Sequence, residues 1–533
     1  MYQQPQPEHS YSRERMRREL IQKSYHEDQK RKARKKKNNL IKVIIILAIL
    51  VLAAGAVLVK MWLDTDPFFT PGEVSIDASV SDEYKNVITA NVEKWDKAGK
   101  KIRKDITYYQ ETTYSKTDAK DDWILVKVEV PTVDFHDSEL NVTLAEAESG
   151  TSEWTDLAKL TPEDRVVSID NYYYFDDLER GAKFTYLSYE TKDKETAINL
   201  ATDGQDYEKY NLNKSEVLSF AQTGVTALTR AMTITLNDRA KGRGSYFADN
   251  IKDFLSSKDL THISNEVSFI DGCKGSKGTM SLCADWRSLD TITAIGTDIV
   301  ELTGNHNNNY GTDANNKTID KYHELGMKTF GGGKTEEEAA EPLLLDNKGN
   351  HITLLGYNQS TSTKGNGELA NGNKPGANGY TEAKAKADIA AAKERGDFII
   401  VDIQFAECYS YPDGYTEMPA CDAPIAGQKA FFRQFIDWGA DMVIGTQAHH
   451  PQTFEYYNGK PIYYGLGNLF FDQTYWPGTQ RGYILTHYFK DGKLLNTRIS
   501  PTWYDEKHQV YLTNEATSEK FVSRLMESSS KGN

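Results

Sequence analysis

A chain of 533 residues has ample length for a large core and suggests about three domains at roughly 150 residues each. Its formal net charge of −14 hides an asymmetry, because Arg31, Lys32, Arg34, Lys35, Lys36, Lys37 and Lys42 cluster near the start and leave the remainder strongly acidic. That balance excludes a main body that holds a polyanion by bulk charge; a polyanionic ligand would need a local basic patch or bridging cations.

The basic cluster abuts residues 43–59, an uncharged apolar run that Met61 and Trp62 extend. At about 1.5 Å per residue the run crosses a bilayer core if Lys42 and Lys60 snorkel. A signal peptide has a short basic start and a small-residue cleavage site, whereas the segment here is long and polar, so an uncleaved transmembrane helix over 43–62 is expected. The positive-inside rule leaves 1–42 as a cytoplasmic tail and everything after Trp62 outside, a single-pass protein of the cell membrane. Attraction to anionic headgroups is a sufficient use for the basic cluster, and no nucleic acid partner is expected.

Residues 64–215 mix alternating patterns (123–130, 165–169) with a helical one (84–95) and read as a mixed α/β extracytoplasmic domain, a spacer or interaction module. From Val217 strands and helices alternate. Strands are expected up to Gly224, at 262–264, 352–357 and 398–405, and helices at 318–325, 381–395 and 429–438. Polar-faced strands from 453 to 501 close this domain, and 502–533 form a C-terminal tail. The Gly, Asn, Ser and Thr of 359–379 mark a long loop, a lid or a solvated insertion. Gly331-Gly-Gly-Lys-Thr335 echoes a phosphate loop, but its first glycine would fall at Lys328, so it reads as a turn before a helix at 336–340.

Four cysteines form two local pairs, Cys273 with Cys283 and Cys408 with Cys421. Neither has CxxC spacing, which argues against structural zinc, and an extracytoplasmic location favours two disulfides.

Two turns organise the chemistry. The buried-looking run Thr297-Asp-Ile-Val-Glu-Leu302 ends in Gly304-Asn305-His306, and Gly439-Ala-Asp-Met-Val-Ile-Gly-Thr-Gln-Ala-His449-His450 repeats the design. Each places polar side chains at the carboxyl end of a strand, where open α/β sheets hold ligands. With Tyr464-Gly-Leu-Gly-Asn-Leu-Phe-Phe-Asp472 added, residues 217–501 resemble the bacterial capsule-synthesis CapA family, poly-gamma-glutamate biosynthesis proteins with a metallophosphoesterase-like fold. The resemblance implies a layered α-β-β-α sandwich. It aligns Glu266, Asn305, His306, Glu407 and His449 with site positions and keeps Arg230. It also implies losses: Val225 stands for an aspartate, Gln404 and Gln447 for histidines, and Asn309 for an acid. Glu266, His306 and His449 are the expected metal ligands, enough for at most one divalent ion, since two ions need more carboxylates and imidazoles. His306, Glu407, Asn305 and Arg230 are the expected catalytic positions. Arg230 either binds a carboxylate or phosphate or pairs with a structural acid.

Two function classes follow. One is an anchored envelope hydrolase or transferase with a degenerate metallophosphoesterase-type site. The other is a non-catalytic module that binds or guides an acidic envelope polymer such as poly-gamma-glutamate, beside other capsule-synthesis proteins.

Overall fold

The computed structural model describes residues 70–529 apart from 136, 277, 360–367, 409–426 and 476–477. The expected membrane helix at 43–62 and Cys421 lie outside these residues, as do the side chains of Glu407 and Cys408. Among the described residues no helix is long and apolar enough to cross a membrane. The chain divides into two compact units, one up to Tyr108 with Tyr189–Asp203, the other Tyr109–Ser188 with Gly204 onward, so residues 64–215 contribute to both.

In the first unit β1 (Val74–Ile76) runs parallel to the start of β2 (Ile106–Ser115), Val74 opposite Ile106. Helix α1 (Asp82–Lys97) falls on the helical pattern and carries Asp82 and Glu83 in its first turn and Lys94 and Lys97 in its last, matching the helix dipole. It is tied to the end of α2 (Lys194–Thr202), because Asn91 donates to the Leu200 and Asp203 carbonyls at 2.9 and 3.0 Å.

The second unit opens with β3 (Ile124–Val133), β4 (Glu153–Asp156), β5 (Arg165–Val166) and β6 (Arg180–Glu190). Across the sheet the order is β2, β6, β3, β4, with β5 on the end of β3. Two further sheets follow. The first is built from β7 (Leu218–Gln222), β8 (Val225–Thr226), β9 (Leu260–Asn265), β10 (Ile299–Glu301) and β11 (Lys328–Phe330). The second holds β12 (Leu343–Asn347), β13 (Asn350–Asn358), β14 (Phe398–Cys408), β15 (Met442–Ala448), β16 (Pro451–Tyr457) and β17 (Lys460–Leu466). The chain then returns to the first sheet with β18 (Asn468–Phe470), β19 (Arg481–Lys490), β20 (Lys493–Tyr504) and β21 (Val510–Leu512). Strand order is β11-β10-β9-β7-β19-β20-β21 in one, with β8 between β9 and β18, and β12-β13-β14-β15-β17-β16 in the other. Strands β7, β9, β10 and β11 are parallel neighbours, as are β13, β14, β15 and β17. Apart from the edge strand β11, their near-continuous burial reflects sheets covered on both faces.

Three apolar clusters set the layers. Met232 and Leu236 of α3 (Ala231–Asp238) and Ile319 and Tyr322 of α4 (Thr312–Glu324) cover the outer face of the first sheet with Ala221, Ile263 and Val300. Ile389 of α5 (Glu382–Arg395) and Phe432 and Phe435 of α6 (Gln428–Trp438) cover the second with Val401 and Val443. Between the sheets, Phe220, Ile299 and Leu485 meet Leu354, Ile400 and Ile444. Alternate residues of one strand thus serve opposite layers, Ile400 inward and Val401 outward. The result is helix, sheet, sheet, helix. Residues 502–533, expected as a tail, carry the end of β20, β21 and α7 (Glu515–Ser529), whose Phe521, Val522 and Leu525 join the inter-sheet core.

The phosphate-loop echo is a turn, as expected: Gly332–Gly333 pair antiparallel with Gly376–Ala377, and Thr335 accepts from the Glu338 N–H at 3.1 Å to cap the helix Glu336–Ala340. Cys273 and Cys283 form a disulfide, Cα atoms 6.0 Å apart. Closing so short a loop restricts the unfolded chain by about 3 kcal/mol. Replacing both cysteines with serine is therefore expected to lower the urea midpoint; peptide mapping of the unreduced protein that finds both thiols free would contradict the bridge.

Candidate functional site

The turn after β10 closes tightly on the end of β9. A Cβ at Gly304 would lie 2.7 Å from the Glu266 Cα, so only glycine lets the two turns touch, and His306 bridges to Val267 through its backbone. The structure thereby brings Glu266, Asn305 and His306 together. The His306 Nδ1 hydrogen-bonds to Asn309 Oδ1 at 2.8 Å. Asn309 in turn donates to Glu368 Oε1 at 3.0 Å, and Glu368 Oε2 accepts from the Asn308 N–H at 3.0 Å. Burial pushes the Glu368 carboxyl up, against the Asn308 N–H and the nearby His306 ring. Glu368 was missed in the sequence because it sits in a Gly- and Asn-rich stretch with no periodicity.

A second group forms where β15 and β18 end. His449 Nδ1 hydrogen-bonds to Asn468 Oδ1 at 2.9 Å, and its ring centroid lies 4.8 Å from that of Phe471. The Arg230 guanidinium lies 5.1 Å over the same Phe471 ring. Arg230 takes the structural one of its two expected roles, since Asp472 engages it bidentately and also accepts from the Ala231 N–H at 3.1 Å, capping α3. His450, next in the chain, is buried and hydrogen-bonds to the Pro451 carbonyl at 2.7 Å. Between the groups the Gln404 amide donates to Gln447 Oε1, both side chains buried, and Gln447 adopts φ +78°. A non-glycine held in the left-handed region at a strand end is a place where strain gathers at sites. Val225 is buried and its backbone pairs with Ser264 and Asn468. Glu407 continues β14, its side chain outside the described residues.

Deeper between the sheets lies a constellation that the sequence reading did not single out. His262 on β9, Glu301 on β10 and Asp402 on β14 each offer one ligand atom within 4.8 Å of the others. Among the described residues no second such group occurs, so Glu266, His306 and His449 do not form one. Each member follows an inter-sheet apolar residue two positions earlier, Leu260, Ile299 and Ile400, and so points into the same layer. Burial pushes the Glu301 carboxyl up to about 7 and Asp402 well above the usual carboxylate range, the latter aided by Glu301 itself, and holds His262 down at about 3. The signal was available: an ionisable residue interrupts each of the buried runs Leu-Thr-His262-Ile, Ile-Val-Glu301-Leu and Ile-Val-Asp402-Ile.

Residues 219–473 match the family described as bacterial capsule synthesis protein PGA_cap. Over 255 residues the chain is 22% identical to the capsule biosynthesis protein CapA of Bacillus anthracis, covering 47% of this chain and 58% of that protein. It is also 22% identical to the PGA biosynthesis protein CapA of Bacillus subtilis over 262 residues, 49% and 65% of the two chains. A probable polyglutamine synthesis accessory protein of Mycobacterium tuberculosis is 27% identical over 191 residues, 34% and 47% of the two. The chain thus spans less than two thirds of the length of these curated relatives.

Proposed function

We infer, from the membership of residues 219–473 in the bacterial capsule synthesis family, that this protein handles an acidic envelope polymer such as poly-gamma-glutamate. It does so beside other capsule-synthesis proteins, outside the membrane to which residues 43–62 anchor it. Binding and guiding, without two-metal hydrolysis, is the reading of its strand-end site.

The observation that carries this reading is the Gln404–Gln447 pair. Two divalent ions need carboxylates and imidazoles to offset their charge. Here the position of the resemblance's aspartate is a buried Val225, and two amides satisfy each other where two imidazoles would stand. The strand-end residues do not fit a two-metal centre, and no step is routed through one. What the site offers is hydrogen-bonding capacity: the turn of Asn305 and His306 is only half-buried, and the Asn305 Oδ1 has no partner among the described residues. Acceptors of this kind suit the amide N–H groups of a polyamide chain.

A second reading, polymer cleavage, draws support from the His306–Asn309–Glu368 chain of hydrogen bonds, which orients an imidazole as a general base requires. In that reading Glu407 is the partner acid.

One titration separates them. Full-length protein mixed with poly-gamma-glutamate is expected to bind it without shortening it, and Asn305→Asp, which swaps an acceptor for a like charge, is expected to weaken binding at least tenfold, about 1.4 kcal/mol. Polymer that shortens with the unmodified protein, and stays intact with His306→Ala, would replace binding by hydrolysis. Neither binding nor cleavage would sink both.

A further inference from the structure

The buried His262, Glu301 and Asp402 group is distinct from the strand-end site, and its geometry is poorly explained by hydrogen bonding alone. His262 Nε2 stands 3.8 Å from Glu301 Oε2 and 3.6 Å from Asp402 Oδ2. Both separations are too long for a hydrogen bond. Two ligands that share an ion at about 2.0–2.1 Å, at a tetrahedral angle, lie about 3.3 Å apart, close to what is seen.

Partners are missing on every side. His262 is 2% exposed and neither ring nitrogen has a hydrogen-bond partner among the described residues. Glu301 Oε2 and Asp402 Oδ1 are likewise buried and unpartnered. Gln222, on the neighbouring strand β7, places its Nε2 3.4 Å from Asp402 Oδ2 while its own Oε1 has no partner. Unsatisfied buried polar atoms normally cost about 1–3 kcal/mol each, so their convergence on one point of a core is a strong sign of something that satisfies them together. The other oxygen of Glu301 is already engaged, by the Thr303 hydroxyl and by Thr446 Oγ1 at 3.4 Å, which fixes the carboxylate and leaves Oε2 facing His262.

Charge makes the same demand. Two carboxylates sit between the sheets, and among the described residues no lysine or arginine forms an ion pair with either. A divalent cation with two carboxylates, a neutral imidazole and a neutral amide is a neutral assembly, the state that a low-dielectric core tolerates.

We propose that His262 Nε2, Glu301 Oε2, Asp402 and, with its amide turned over so that the oxygen takes the place of Nε2, Gln222 bind one divalent first-row transition metal ion, zinc foremost, as a closed structural site that ties the two sheets together. His262 and Glu301 come from one sheet and Asp402 from the other, so the ion crosses the inter-sheet layer. Imidazole with carboxylates suits zinc, iron or manganese and disfavours copper(I). With four protein ligands and no open position the ion does no chemistry on a substrate. The site stands whether or not the strand-end pocket binds polymer.

The test is metal analysis of the full-length chain, extracted in detergent without chelator from cells grown with zinc, iron and manganese. About one equivalent is expected. It should fall at least fivefold in Asp402→Asn and in Glu301→Gln, and stay unchanged in His306→Ala and His449→Ala. X-ray absorption at the edge of the bound metal reads the unmodified protein and so needs no variant to fold; one imidazole among nitrogen and oxygen ligands, without sulfur, is expected. Folded protein with less than about 0.2 equivalents overturns the proposal. So does metal that leaves with His306→Ala and survives Asp402→Asn, or a spectrum with two or more imidazoles.

Discussion

Replacing Asp176 with alanine is expected to cost about 2 kcal/mol of unfolding free energy, between the penalties for an exposed and a fully buried pair, because the Asp176 and Arg498 side chains are each 26% exposed. The Asp176 carboxylate accepts from Lys258 Nζ and from the Tyr488 hydroxyl, each at 2.5 Å, and from the Arg498 guanidinium. Lys258 is only 6% exposed. Burial raises the Asp176 carboxyl, yet Lys258 and Arg498 together bring it below its ordinary value. At Lys258 the balance is reversed, and burial lowers the ammonium despite the pair. The geometry accounts for the difference, because the carboxylate faces two cations, whereas Lys258 faces one anion and the repelling Arg498. Without the carboxylate, two cations confront each other in a half-buried site. Since the folded carboxyl is depressed, its stabilisation is complete above its unfolded value near 4 and disappears as pH falls through the folded one. Urea unfolding at pH 7 measures the loss; a change below about 1 kcal/mol would mean that the cluster is solvated and weak. Asp176→Leu combined with Lys258→Met should recover part of it, as apolar isosteres of buried pairs do.

Acid should destabilise the domain through His487. Its ring lies among Phe220, Tyr463 and Phe489, with Nδ1 2.9 Å from Thr497 Oγ1 and Nε2 without a partner among the described residues. Burial, with the nearby His262, lowers it from 6.5 to about 3. The unfolded chain therefore takes up a proton below 6.5 that the folded one refuses, and stability drops as pH falls, by about 1.4 kcal/mol per unit. Loss of the ion from Glu301 and Asp402 in acid would add a pH dependence of its own, so total stability is a poor readout. The difference between unmodified protein and His487→Gln isolates the one ring. Between pH 6.5 and 4 the unmodified protein should lose about 3 kcal/mol relative to the variant. Parallel stability curves would show that the folded ring accepts a proton after all.

How far the sequence revealed this molecule depended on which physical signal each element carries. Helices α5 and α6 are readable from their patterns, and both end at a glycine in the left-handed conformation, Gly396 and Gly439. Parallel strands announce themselves as apolar runs, and the turn bearing Asn305 and His306 follows directly from where such a run ends. Arg165-Val-Val-Ser-Ile169, read as one strand, is two short ones, because Arg165–Val166 pairs with β3 while Ser168–Ile169 pairs with Asn141–Val142. Pairing partners distant in sequence leave no local trace. The inter-sheet acids were hidden for the same reason: a lone Glu301 or Asp402 inside an apolar run looks like an edge position until the strands are aligned. Only the register that sets Ser264 beside Glu301, and the second sheet above it, turns three separate interruptions into one place. Arg230 posed the reverse problem, since its partner Asp472 is far along the chain and either expected role fitted the sequence equally well.

Strand β7 has a consequence for synthesis. It is the first strand of its sheet to be made, yet it lies between β9 and β19, with Gln222 opposite Leu485 and Leu218 opposite Phe489. At about 5–20 residues per second a ribosome needs on the order of tens of seconds to travel from one to the other. Throughout that interval one edge of a buried apolar strand has no neighbour, and the α3 terminus lacks its Asp472 cap. A nascent chain interrupted before Arg481 carries that open edge permanently, which makes premature termination, more than point substitution, the event that should send this protein to aggregation or proteolysis.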